Sequence, residues 1–154
     1  AIYRDLSVTN PAVYRPDLAM TLYNLGILHS AEGRISEARQ ASEEALEIRR
    51  GLAAENPSRY QPVQAESLFL LSAIEALSGN VGRGRTLVAE AIEIFTNLAR
   101  QDPGKFSQKL ELAQQLSALV NQAASEDEEE NAGGTTATGG DGPRSLESTV
   151  PPPL

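Results

Sequence analysis

Leu52-Ala53-Ala54-Glu55-Asn56-Pro57-Ser58-Arg59-Tyr60 decides the fold, because the chain contains this stretch three times in outline. Leu6 to Tyr14 and Leu98 to Phe106 carry the same frame 46 residues to either side: a Leu, an Asn-Pro or Asp-Pro pair, then an aromatic. Outward from it, Ile2, Ile48 and Ile94 fall into line without a gap, and residues 1–46 share 14 identities with residues 47–92. Most of these identities are apolar, proline or glycine, the positions that packing and turns constrain. Self-similarity at a period between about 20 and 50 residues marks stacked supersecondary units, none of which buries its apolar face alone. The chain therefore reads as an array of helical units and not as a single-core enzyme fold.

Each unit reads as two helices. Asp17 to Ala31 places Leu18, Leu22, Leu25, Ile27 and Leu28 on a helical period, with Pro16 at or just before the first turn, where a missing N–H costs nothing. Glu32-Gly33-Arg34 ends that helix, Gly33 being free to take the left-handed conformation such a stop uses. The second helix, about Ile35 to Glu55, faces Ile35, Ala38, Ala41, Ala45, Ile48 and Leu52 inward and stops at Asn56-Pro57. Pro62 opens the next first helix, with Ala65, Leu68, Leu71 and Ile74, and Gly79-Asn80 ends it. Its partner, about Gly82 to Gln101, carries Leu87, Val88, Ala91, Ile92, Phe95 and Leu98. A last helix, about Phe106 to Ala124, carries Leu110, Ala113, Leu116, Leu119 and Val120 and is expected to cap the array. Residues 1–9 read as the end of a second helix from a preceding unit, and a chain that opens with Ala1 in mid-pattern reads as a fragment of a longer protein.

Composition narrows the partners. The formal charge of −8 divides unevenly: residues 1–124 hold 14 acidic and 12 basic side chains, residues 125–154 hold 7 and 1. A nearly neutral helical part offers no basic face for nucleic acid or an anionic membrane. The longest aliphatic and aromatic run, Leu68 to Leu71, is far short of the ~20 residues that span a bilayer. With no cysteine there is no disulfide and no thiolate metal site, which leaves the redox compartment open. The expected location is the cytoplasm.

Leu22-Tyr23-Asn24-Leu25-Gly26, followed by Gly33, Ala38 and Ala45, resembles the tetratricopeptide repeat, and the likeness covers about residues 1–124. The second unit keeps Leu68, Leu71, Gly79 and Ala91 but has Ser72 for Gly26 and Gly84 for Ala38; the third keeps little beyond Leu98, Pro103, Phe106 and Leu110. The family period is ~34 residues. The longer unit here is similar to the long-repeat branch found in kinesin light chains and in bacterial and fungal signalling proteins, with the addition between Arg50 and Pro62. The resemblance implies an all-α solenoid of antiparallel hairpins, a right-handed superhelix whose first helices line a concave groove for a peptide segment of another protein. Residues facing such a ligand would be Tyr23, Asn24 and Ile27, then Phe69, Leu70 and Ala73, then Leu112, Gln115 and Leu119. Packing of Tyr23 and Phe69 between adjacent helices is the competing reading. The groove helices hold no Lys or Arg between Asp17 and Ala31 or between Pro62 and Ser78, which argues against the basic clamp by which some family members grip acidic chaperone tails.

Chemistry finds no foothold. His29 is the only histidine and has no second ligand residue of its kind, so it reads as structural. Gly79 to Arg85 has the glycine density of a phosphate loop but not its order, its Lys-Ser/Thr pair or a preceding strand. Glu43-Glu44 and Glu90/Glu93 read as solvated outer faces. No catalysis, cofactor, metal or small-molecule substrate is expected. Beyond Ala124 an acidic run, Gly pairs and Pro151-Pro152-Pro153 cannot repay their ordering entropy, so residues 126–154 are expected to be disordered, with the acidic run opposing extension of the last helix. The function expected is a protein-interaction module; the alternative is a regulatory or spacer segment acting in cis within a larger multidomain signalling protein.

Overall fold

A computed structural model describes residues 11–134, and every regular element in that range is an α-helix: α1 Pro11–Ala31, α2 Ile35–Glu55, α3 Pro57–Leu77, α4 Val81–Gln101 and α5 Pro103–Gly134. The readings of residues 1–9 and of the tail beyond residue 134 lie outside the described residues. No described helix is long and apolar enough to cross a membrane. The 46-residue period now has a physical content. Two 21-residue helices are separated by a three-residue turn, and a single residue, Asn56 or Asp102, joins one unit to the next.

Both junction types follow from local chemistry. At Gly33 and Gly79, φ is 76° and 86°, a region that strains any side chain bearing a Cβ. Around them Arg34 N donates to His29 O at 2.8 Å and Asn80 N to Glu75 O at 2.9 Å, while the glycine N–H groups reach Ser30 O and Ala76 O, so orphan carbonyls of the first helix are satisfied. Asn56 and Asp102 share one backbone conformation, φ −141° with ψ 84° and 83°. Each closes one helix and opens the next: Asn56 N donates to Leu52 O at 2.9 Å while its side-chain oxygen accepts from Arg59 N at 3.4 Å. Asp102 repeats this with Leu98 O and Lys105 N.

The expected boundaries need correction on this point. Asn56-Pro57 does end α2, but no loop follows, because Pro57 is itself the first helical residue and Pro62 lies inside α3. Pro16 stands likewise inside α1. Pro57 takes the first helical position, where a missing N–H costs nothing, and Pro62, five residues on, forgoes one ladder bond inside the helix. The 46-residue unit is filled by two 21-residue helices, a three-residue turn and one joining residue, with no added loop.

Each helix packs on its neighbours in sequence; α1 also touches α3 and α3 touches α5, whereas the α2 and α4 backbones do not meet. α3 is the best covered. Ala65, Leu68, Leu71 and Ile74 are all 0 % exposed, as are Val88 and Ala91 of α4 and Ala113 of α5. On α1 the expected stripe is only partly buried: Leu22 is covered and Leu18 half-buried, but Leu25, Ile27 and Leu28 are exposed, and no described helix lies over Leu25 and Leu28. Leu119 of α5 is exposed as well.

α5 corrects the reading of the tail. It runs through Ser125 to Glu130 and ends at Gly134, where disorder from residue 126 was expected. Glu favours the helix, and these exposed carboxylates keep their water. Gln122 Nε2 donates to Glu126 Oε1 at 3.2 Å across one turn.

Candidate functional site

Where the helices of adjacent units converge, α1 contributes Tyr23, α3 Glu66 and Phe69, α4 Phe95 and α5 Lys109 and Leu112 to one cleft of about 220 Å³. Three of the nine expected groove residues, Tyr23, Phe69 and Leu112, are thus brought together. Phe95, 2 % exposed, underlies them, while an ion pair between Lys109 Nζ and Glu66 Oε1 spans the rim. The cleft is aromatic and aliphatic, and its two charged groups neutralise one another.

A second cleft, about 230 Å³, shares three stations with this one a unit earlier: Met20, Arg49 and Val63 stand where Glu66, Phe95 and Lys109 stand in the first, beside the charged Asp17 and Arg59. Arg49 is 5 % exposed, an unusual burial for a guanidinium. It lies 4.5 Å from the centre of the Tyr23 ring and donates from Nη1 to Ser67 Oγ at 2.9 Å and to Val63 O at 3.2 Å. Burial pulls the Arg49 pKa below its ordinary value, and the nearby Glu66 carboxylate opposes that fall. Burial also raises the Tyr23 phenol, with Glu66 adding to the rise and Arg49 working against it.

The other expected residues are distributed differently. Ala73 and Leu119 line a shallow apolar cleft of about 330 Å³ between α3 and the far half of α5, together with Leu77 and Leu116. Leu70 packs across the α1–α3 seam, its Cδ2 3.4 Å from where a Cβ on Gly26 would stand. Asn24, Ile27 and Gln115 are exposed and line none of these clefts. Sequence reasoning did not reach Glu66, Phe95 and Lys109. Glu66 and Lys109 are charged residues with no apolar signal in the helical pattern, and Phe95 belongs to a second helix. The 46-residue register held a signal for Glu66, which occupies the same station as Leu112.

A separate polar cluster ties the units together. Glu75 of α3 is 0 % exposed, and its carboxylate meets Arg39 Nε of α2 at 2.7 Å, Asn80 Nδ2 at 2.8 Å and Arg83 Nη1 of α4 at 3.3 Å. Arg83 also bonds Glu43 of α2, which holds that guanidinium above its usual pKa, and Arg50 Nη1 reaches Glu90 Oε2 at 2.9 Å. Glu43 and Glu90 are therefore straps across the gap between α2 and α4, and Arg39 and Arg83 belong to the seam and not to an outer face. Among the described residues no three His, Asp or Glu side chains gather into a metal-ligand set. No protein-family model, curated protein or solved structure gives a significant match to this chain.

Proposed function

We propose that this chain is a protein-interaction module: an α-solenoid of tetratricopeptide kind, active without catalysis in the cytoplasm, that holds a peptide segment of a partner along α1, α3 and α5. The observation that carries this is the cleft of Tyr23, Phe69, Phe95 and Leu112, an apolar concavity to which α1, α3 and α5 contribute over a floor from α4. An aromatic floor with a self-neutralised rim suits an apolar side chain of the ligand more than a charged one, because a charge placed there would lose its water without gaining a free counter-ion. The Glu66 carboxylate and Lys109 ammonium can exchange partners with a ligand backbone at little cost.

A peptide library displayed against the full chain tests the reading. Retained sequences should share apolar anchors and be lost on Leu112→Asp, an exposed position whose change leaves the core intact, while Leu77→Asp in the other cleft leaves them bound. No retained peptide, or retention indifferent to Leu112→Asp, would sink it. The second reading, a segment acting in cis within a larger chain, draws on the exposed apolar face of α1.

A further inference from the structure

The two ends of the helical array are finished differently. On α3, Ala65, Leu68 and Ser72 turn toward the partner helix α4, where Ser72 Oγ donates to Gly84 O at 2.6 Å. At the same stations α5 has Glu111, Gln114 and Ala118, all exposed, with two of the three polar. The α1 end does the opposite. Leu71, Ile74 and Glu75 of α3, each 0 % exposed, form the face on which α2 lies, with Arg39 of α2 meeting Glu75. Their counterparts on α1 are Leu25, 37 % exposed, Leu28, 52 % exposed, and His29, whose buried Nδ1 has no hydrogen-bond partner.

We propose that the Leu25–Leu28–His29 face of α1 is a docking surface for one further amphipathic helix of the α2 kind, leading into α1 as α2 leads into α3. The template is the α2–α3 interface of this same chain, displaced by one unit. In the sequence ahead of α1, Ile2, Arg4 and Leu6 stand at the stations of Ile48, Arg50 and Leu52. The occupant's chemistry follows from the two stations that differ: an apolar stripe to cover Leu25 and Leu28, and, where α2 carries Arg39, a hydrogen-bond acceptor suited to an imidazole instead of a base suited to a carboxylate. The inference uses no residue of the peptide cleft and stands apart from the proposed function.

The 46-residue register supplies the test. Ala1 stands at the station of Glu47, so placing a copy of the Ile35–Leu46 sequence ahead of Ala1 completes a second helix in frame. Leu25→Asp with Leu28→Asp is then made in the full chain and in the extended chain, and each folding constant is read from urea denaturation. Docking predicts a drop at least about tenfold larger in the extended chain than in the chain without the added segment. It further predicts that Arg39→Glu within the grafted copy raises the folding constant of the extended chain. Equal drops in both backgrounds, with the parent chains equally helical by circular dichroism, overturn the proposal.

Discussion

The seam around Arg49 and the seam around Phe95 occupy one place in the repeat and are filled by opposite chemistry. In the first, a guanidinium lies under Tyr23 and finds its acceptors in Ser67 and the Val63 carbonyl. In the second, a phenyl ring lies under Phe69, and the station of Ser67 is occupied by Ala113, 0 % exposed. The hydroxyl is present where a buried cation needs an acceptor and absent where it would itself go unpaired. The same compensation governs the hairpin contact. In the first unit Gly26 faces Ser42, and in the second Ser72 faces Gly84, so one side of each close approach is always small. The two units are solutions to one packing problem and not copies of one another.

The strongest way to break this comparison is to move one seam's residue into the other. Phe95→Arg places a guanidinium over Ala113 with no hydroxyl to receive it, and should cost about 4 kcal/mol in urea unfolding. Adding Ala113→Ser should recover part of that loss; no recovery would show that the two stations are not coupled. The mirror exchange, Arg49→Phe with Ser67→Ala, should be close to neutral, because a buried charge and its acceptor leave together.

A smaller effect is expected at the hairpin. A Cβ on Gly26 would stand 2.3 Å from Ser42 Oγ, so Gly26→Ala should destabilise by about 1–3 kcal/mol. Ser42→Ala removes the offending oxygen, which has no hydrogen-bond partner to lose, and should rescue most of it. If Gly26→Ala is tolerated alone, the close approach is not a constraint.

The least effect concerns pH. Because burial raises the Tyr23 phenol above its ordinary value of 10.0, the folded chain holds that proton more tightly than the unfolded one. The associated stability is intact below about pH 10 and declines as the pH rises through the folded pKa. Urea midpoints of the parent and of Tyr23→Phe, compared across that range, should diverge only on the alkaline side; parallel profiles would place the phenol in ordinary solvent.

Much of the helical arrangement was legible in residue order, and the reason is that its signals are local. Gly33 and Gly79 mark turns because only glycine adopts positive φ freely, and Asn56-Pro57 ends α2 because proline has no N–H for the ladder. The site was less legible. Tyr23, Phe69 and Leu112 could be named from a helical projection, but Glu66 and Lys109 become part of a cleft only by neutralising each other across 43 residues of chain. Glu75 carries no sequence signal of its own, and its burial rests on Arg39, Asn80 and Arg83 converging on it.

The sequence by itself determined the period, the helical class and the breaks at Gly33, Asn56 and Gly79, since proline geometry and glycine torsions act within a few residues. Only the tertiary structure decided which apolar residues are core. Leu25 and Leu71 are the same residue at the same station of the repeat, yet one is 37 % exposed and the other 0 %. Burial is a property of the neighbour: α2 lies over Leu71, and no described helix lies over Leu25.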